Sequence, residues 1–231
     1  MNHEIDLKKY DIHTDLVLDT IENNEFDIKS DTYNIGDIRV TKVNIDEENS
    51  IIINKKVGNY ITIEFDDVTD SGNREKVTEV FSNELNKILY NYDKKSVLVV
   101  GLGNEKSTPD SLGPIVIDDI LVTRHLFLLG EDVDKDTLMV SKISPGVMAD
   151  TGIETFDIVK SIVNDIKPSI ILVVDALAAS TIGRVNKSIQ ITDTGIHPGS
   201  GIGNMRKEIS LDTIGIPVIA IGVPTVVDRV I

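Results

Sequence analysis

Hydrophobic residues in the first part of the chain recur with the two-residue period of β-strands. Residues Ile38–Val43 alternate apolar and polar side chains, and Ile51–Ile53 and Tyr60–Phe65 are rich in β-branched and aromatic residues. Polar residues typical of turns separate these runs, so the pattern predicts a small antiparallel β-meander over residues 37–66. Residues 1–36 show no sustained period and are expected to be weakly structured.

Helical and strand-like patterns alternate from residue 73 onwards. Apolar residues at steps of three and four predict an amphipathic helix over residues 73–90, and two shorter helices over 112–121 and 158–166. Strands are predicted at Val97–Val100, 137–143, Ile170–Val174, Ser188–Thr192 and Val218–Ile221. This alternation predicts an α/β protein with three αβα layers, a mostly parallel central sheet and the meander at its N-terminal side.

Two aspartates follow the most apolar predicted strands. Asp110 lies in the loop after Val97–Val100, and Asp175 directly follows Ile170–Val174. Open α/β sheets place their sites at the carboxyl ends of parallel strands, which lie about 4.8 Å apart, so neighbouring strands would bring these acids together. Two carboxylates within about 4–6 Å resist joint ionisation. The pair could therefore serve as general acid and general base around a water molecule, or hold a divalent metal ion.

The local sequence also offers simpler interpretations of both aspartates. Asp110 precedes the helix predicted from residue 112 and could cap it, and Asp175 could be an ordinary residue of a strand-end turn. His197 lies in the glycine-rich run 194–204, which could bind an anion through backbone N–H groups or form a loop beside the site. The histidine is a candidate proton carrier or ligand, or an ordinary loop residue.

Composition excludes several classes of chemistry. The chain has no cysteine, which rules out disulfides, thiolate nucleophiles and cysteine-based zinc sites. No serine lies in the G-x-S-x-G context of a nucleophile elbow. The net charge of −15 argues against direct binding of nucleic acid or anionic membranes, and favours solubility or a basic protein partner. Neither a membrane-spanning run nor a signal peptide is recognisable, so a cytoplasmic location is expected.

The run Gly101-Leu102-Gly103-Asn104 begins like a dinucleotide-binding fingerprint. The third glycine of that fingerprint would fall at position 106, which is Lys106. A non-enzymatic, Rossmann-like nucleotide-binding protein is therefore a weakly supported alternative. Gly101, Gly103 and Asn104 are equally placed to line a site around Asp110.

Longer motifs resemble the germination protease (spore protease) family of endospore-forming bacteria. They are Gly101-Leu-Gly-Asn104, Thr108-Pro-Asp-Ser-Leu-Gly-Pro114, Ser144-Pro-Gly-Val-Met148, Asp175-Ala-Leu-Ala178, the run from Ser188 to Gly201, and Gly215-Ile-Pro-Val-Ile-Ala-Ile-Gly222. This resemblance implies an atypical aspartic or metal-assisted endopeptidase whose essential acids are Asp110 and Asp175. It also implies a fold similar to that of hydrogenase-maturation endopeptidases, so a metal-dependent maturation-type endopeptidase is a further alternative.

The same resemblance implies how the protein is made, activated and used. Members of the family are made as zymogens in the forespore, trim their own N-terminus, work as homotetramers and degrade small acid-soluble spore proteins at germination. The self-cleavage point maps to Asp15–Leu16. The expected organisation is therefore a pro-segment at 1–15, a β-meander and helix at 16–95, and an α/β catalytic core at 96–231 that is truncated at its C-terminus relative to the family. The expected location is the forespore or spore core.

Overall fold

One mixed sheet of eight strands organises residues 14–199 and 206–227, which the computed structural model describes. The strands are β1 (Ser30–Ile35), β2 (Ile38–Ile45), β3 (Gly58–Glu64), β4 (Ser96–Gly101), β5 (Met139–Ile143), β6 (Ile170–Ala179), β7 (Ser188–Thr192) and β8 (Val218–Val227). Their order across the sheet is β1-β2-β3-β7-β8-β6-β4-β5. The pairings among β8, β6, β4 and β5 are parallel, and all the others are antiparallel.

Helices cover both faces of this sheet. They are α1 (Val17–Asn23), α2 (Glu47–Ile53), α3 (Ser71–Leu89), α4 (Leu112–Asp119), α5 (Arg124–Leu129), α6 (Met148–Thr151), α7 (Thr155–Ile166) and α8 (Leu211–Ile214). Alternate residues of the central strands enter different apolar clusters, since Val97 and Val99 pack with α3 and α4 whereas Leu98 and Val100 pack with α7 and α8. The helices predicted near residues 73–90, 112–121 and 158–166 are present as α3, α4 and α7.

The predicted meander is antiparallel, but two of its details were wrong. Residues Ile51–Ile53 belong to helix α2, because the Asp46 side chain accepts a hydrogen bond from the Asn49 N–H at 2.8 Å and caps the helix. Ile51 and Ile52 are exposed in this helix, and only Ile53 of the three is buried. The run of β-branched residues was therefore not evidence of a strand. The missing strand is β1, within the segment predicted to be weakly structured.

The meander strands continue into the main sheet. β3 pairs with β7, which in turn pairs antiparallel with β8. The predicted parallel arrangement therefore holds for β8, β6, β4 and β5, while the other half of the sheet is antiparallel. Asp175 lies on β6, and Asp110 lies in the loop after β4. No helix within residues 14–199 and 206–227 has the length and apolarity needed to span a membrane.

Strand β6 extends further than the sequence pattern predicted. The apolar run stops at Val174, but the strand continues through Asp175 to Ala179 because β8 pairs with it along this whole length. Its other neighbour, β4, ends at Gly101, which lies opposite Val174. Asp175 was therefore wrongly predicted to end its strand. Asp175 lies on the extension of β6 beyond β4. Along this extension, the edge of β6 that would face β4 is open to other partners.

Candidate active site

The loop between β4 and α4 folds back so that Asp110 lies against the end of β4. The Asp110 N–H donates to the carbonyl oxygen of Ser107 at 2.8 Å, and the Asn104 N–H donates to the carbonyl oxygen of Asp110 at 2.9 Å. A single 3-10 turn, Thr108–Asp110, completes the loop. On the far side, the Thr225 hydroxyl of β8 donates to the Pro109 carbonyl oxygen at 2.5 Å. The loop that carries Asp110 is thus fixed by its own backbone hydrogen bonds and by one hydrogen bond to β8, and the N-cap residue of α4 is Ser111 and not Asp110.

Two glycines, Gly101 at the end of β4 and Gly103 just after it, allow this close packing. A Cβ on Gly103, whose φ is +112°, would lie 2.1 Å from the Asp110 carbonyl oxygen and 3.0 Å from its Oδ1. A Cβ on Gly101 would lie 2.3 Å from the carbonyl oxygen of Gly113 in α4. The spaces beside both glycines are therefore filled by Asp110 and by the first turn of α4. These contacts explain the glycine spacing by packing alone, without a bound nucleotide.

Asp175 is almost completely buried, with 6% of its surface exposed. Its Oδ1 accepts a hydrogen bond from the Ala176 N–H at 2.9 Å. Burial, followed by the negative charges of Asp110 and Asp15, raises the pKa of Asp175 well above its usual range. Burial also raises the pKa of the partly buried Asp110, against the opposing effect of the Asn104 N–H. The structure therefore brings the two predicted aspartates into one electrostatic environment, in which Asp175 holds a proton more tightly than an exposed aspartate would.

Residues Thr14–Leu16 occupy the open edge of β6. The Asp15 N–H donates to the carbonyl oxygen of Ala178 at 3.0 Å, and Asp15 Oδ2 accepts from the Ala178 N–H at 2.8 Å. Leu16 is fully buried in a cluster with Leu177 and Ala179. The peptide bond between Asp15 and Leu16 is thus held along β6, within three residues of Asp175 in that strand.

Two polar side chains from other parts of the sheet half that contains β3 and β7 also hold this segment, the partly buried Lys55 and the buried Gln190. Lys55, which follows α2, donates from Nζ to the Thr14 carbonyl oxygen at 2.7 Å. Burial lowers the pKa of Lys55, against the opposing charges of Asp15 and Asp19. Gln190 of β7 donates from Nε2 to the Asp15 carbonyl oxygen at 3.2 Å and accepts the Val17 N–H at 2.8 Å.

An ion-pair cluster fixes the helix that follows. Asp19 of α1 is fully buried and pairs with the Arg184 guanidinium, which also contacts Glu22 and Glu64. The same Asp19 carboxylate accepts hydrogen bonds from the Thr14 hydroxyl at 2.9 Å and the Ser180 N–H at 2.6 Å. Sequence reasoning missed Gln190, Lys55 and this cluster. Strand alternation gives no signal for Gln190, because it lies between two isoleucines and therefore on the opposite face from them.

His197 follows β7 in the chain, and its side chain lies close to that of Glu208. Its Nε2 is 3.7 Å from Glu208 Oε2, and the same carboxylate group pairs with Lys56 at 2.6 Å. The role of His197 at the site stays a prediction. Part of its glycine-rich run, residues 200–204, lies outside the described residues.

The donor set bears on the metal alternative. Residues 14–199 and 206–227 contain no group of three or more histidine, cysteine, aspartate or glutamate side chains that could hold a metal ion. A typical catalytic zinc ion takes three protein ligands, and Asp110 and Asp175 supply two carboxylates. Within the described chain, these two carboxylates are one protein ligand short of that typical zinc site.

The fold and these contacts define an α/β protein with a carboxylate pair beside a bound segment of its own chain. A family model described as Germination protease matches residues 7–231. Germination proteases of Geobacillus sp. and Bacillus cereus are 46% and 48% identical over 250 and 246 residues, and the alignments cover 100% of this chain and 67% of each relative. The chain belongs to the germination protease family, and it is accordingly a protease.

Among solved structures, a NiFe hydrogenase maturation protease from Thermococcus kodakarensis KOD1 is similar at 16% sequence identity and a TM-score of 0.37. That match covers 61% of this chain and 80% of the other.

Proposed function

We propose that this protein is a spore endopeptidase that is made as a zymogen and cuts its own Asp15–Leu16 bond by means of Asp110 and Asp175. The observation that carries the proposal is the position of that bond. Asp15 is hydrogen-bonded to Ala178 on the same strand as Asp175, and its charge contributes to the raised pKa of Asp175. A bond held beside two proton-sharing carboxylates has the surroundings that acid–base hydrolysis requires.

The two carboxylates take different roles because they are buried to different degrees, which affects how tightly each holds a proton. Asp175, the more deeply buried, keeps the proton and is the general acid, and Asp110 is the general base. Water adds to the carbonyl carbon of Asp15 and gives a proton to Asp110. The carbon–nitrogen bond then breaks, and the nitrogen of Leu16 takes the proton of Asp175. The products are the carboxylic acid of Asp15 and the amine of Leu16, and transfer of the proton from Asp110 to Asp175 restores the starting state of the pair.

The surroundings of Asp15 and Leu16 also suggest which bonds in other proteins would be cut. The Asp15 carboxylate accepts a backbone N–H of β6, and Leu16 fills an apolar cluster that includes Leu177. A substrate with an acidic residue before an apolar one could make the same contacts. We extend the proposal to small acid-soluble spore proteins as substrates and to a homotetramer in the forespore or spore core. The support for these points is the family to which the chain belongs.

The self-cleavage is tested by following the N-terminus of the purified protein over time. The proposal predicts one new N-terminus, at Leu16, formed with a first-order rate constant that is independent of protein concentration, because the bond is already bound within its own chain. Cleavage at another bond, or a rate constant that rises in proportion to concentration, would contradict it. Abolition of cleavage by a metal chelator would instead favour the metal-dependent alternative.

A further inference from the structure

One strand, β8, separates Gln190 from Asp175, and the two residues lie on the same face of the sheet. In the register of the sheet, Gly222 of β8 is opposite Gln190 of β7 on one side and Asp175 of β6 on the other. Residues that are directly opposite across paired strands project to the same face. Gly222 between them has no side chain, and Leu177, which packs with Leu16, lies over it. The two polar side chains therefore face the layer in which the Asp15–Leu16 segment lies.

The amide of Gln190 makes hydrogen bonds to backbone groups on both sides of the bond that we propose is cut. Its Nε2 donates at 3.2 Å to the carbonyl oxygen of Asp15, which is the carbonyl of that bond, and its Oε1 accepts the Val17 N–H at 2.8 Å. Gln190 is 6% exposed, so both hydrogen bonds are shielded from water. The second contact also fixes which way the amide is turned, since Oε1 must face Val17 and Nε2 must face Asp15.

We propose that Gln190 is a catalytic residue of the self-cleavage, one that stabilises the negative charge that develops on the Asp15 carbonyl oxygen. This inference rests on the proposed function. When water adds to the carbonyl carbon, the carbonyl electron pair moves onto the oxygen, and the Nε2–H of Gln190 donates to it. When the carbon–nitrogen bond breaks, that electron pair returns to form the new carboxyl group and the nitrogen of Leu16 leaves with the proton from Asp175.

The contact is well suited to stabilise the transition state more than the ground state. A hydrogen bond of 3.2 Å to a neutral carbonyl oxygen is long, and it shortens and strengthens as the oxygen becomes charged. Removal of one preorganised donor of this kind typically slows a reaction by about 10²–10³-fold. The Lys55 ammonium donates to the preceding carbonyl oxygen, that of Thr14.

The test is the isosteric variant Gln190→Glu. A glutamate retains an oxygen that accepts the Val17 N–H, but its ionised form has no hydrogen to donate to Asp15. Because burial raises the pKa of a carboxyl group, self-cleavage is measured over a pH series, and the expected result is a rate about 10²-fold lower where the substituted carboxyl is ionised, with the Val17 amide still protected from hydrogen exchange. The ratio of variant to unaltered rate should rise as the pH falls, because a protonated glutamate regains an O–H donor. The matched control is Thr62→Val, a buried neighbour opposite Gln190 on β3, which should trim at the unaltered rate.

Two results would overturn the role of Gln190. One is a Gln190→Glu chain that trims at the unaltered rate. The other is slow trimming together with loss of Val17 protection, which would make Gln190 an anchor of the segment only. Failure of the proposed function looks different, because then the Asp175→Asn chain would itself trim at Asp15–Leu16 whatever residue stands at position 190.

Discussion

Different degrees of burial affect the pKa values of two chemically identical aspartates differently. Asp175 lies on a paired strand with 6% of its surface exposed, whereas Asp110 lies on a loop that is only partly buried. The desolvation cost of a charge therefore falls more heavily on Asp175, and the neighbouring carboxylates of Asp110 and Asp15 add repulsion. Burial of Asp175 in this position lowers the free energy of unfolding whenever the side chain is ionised, because a buried charge is unfavourable.

The residue-scale prediction is that Asp175→Asn stabilises the protein at neutral pH. Because the pKa of Asp175 is raised on folding, the contribution of its protonated state to stability is fully present below the ordinary aspartate pKa of about 3.9. That contribution is lost as the pH rises from there through the raised pKa of the folded state. Asparagine does not ionise, so its advantage should be small near pH 4 and grow towards pH 7. Each 1 kcal/mol corresponds to about 2–4 °C in Tm for a chain of this size.

Thermal unfolding of both proteins across this pH range measures the effect. The exposed Asp119→Asn, at the end of α4, is the matched control and should show no growing difference. An Asp175→Asn protein that is less stable at pH 7, or one whose difference from the unaltered protein does not change with pH, would contradict the account of burial.

At the scale of elements, the β4–α4 junction is what places Asp110. The loop returns to β4 at Gly103, and the first turn of α4 packs against Gly101. The sequence motif around these glycines could suggest either a nucleotide fingerprint or a packing site. Only the positions of Asp110 and α4 in three dimensions distinguish the two.

Gly103→Ala should displace Asp110 and reduce self-cleavage strongly. The added Cβ would meet the Asp110 carbonyl oxygen at 2.1 Å, a contact that backbone movement must relieve. The control is Gly130→Ala at the end of α5, where φ is +72° and no atom lies within 4 Å of the added Cβ. Both variants suffer the conformational cost of a positive φ, about 1 kcal/mol, but only Gly103→Ala should lose activity. Cleavage rates and Tm values of the pair separate the two effects, and equal rates would refute the positioning role of Gly103.

The elements that the sequence predicted well are those in which local and tertiary preferences agree. Helix α3 shows a clear helical period and a capping residue, Asp70, whose carboxylate accepts the Asn73 N–H at 2.9 Å. The run Ile51–Ile53 misled because strand propensity was overridden by the cap at Asp46. Strand β6 was predicted too short because pairing with β8, and not hydrophobicity, sets its end.

At the scale of the whole molecule, the sheet joins parts of the chain that are distant in sequence. The segment at 14–16 reaches Ala178, and Gln190 and Lys55 hold it from two other elements. Such contacts cannot be predicted from periodicity, because each depends on a strand order that only the complete sheet determines. The aspartate pair could be predicted, since both residues follow apolar runs whose carboxyl ends face the same edge of a parallel sheet.

We propose that Asp110 and Asp175 together cut the Asp15–Leu16 bond. The most direct test is the intact mass of the purified unaltered, Asp110→Asn, Asp175→Asn and Asp119→Asn proteins after the same incubation. The account predicts loss of residues 1–15 from the unaltered and Asp119→Asn proteins, and full-length chains for Asp110→Asn and Asp175→Asn, with folding confirmed by thermal unfolding. Trimming at Asp15–Leu16 in either of those two variants, at a rate near that of the unaltered protein, would contradict it.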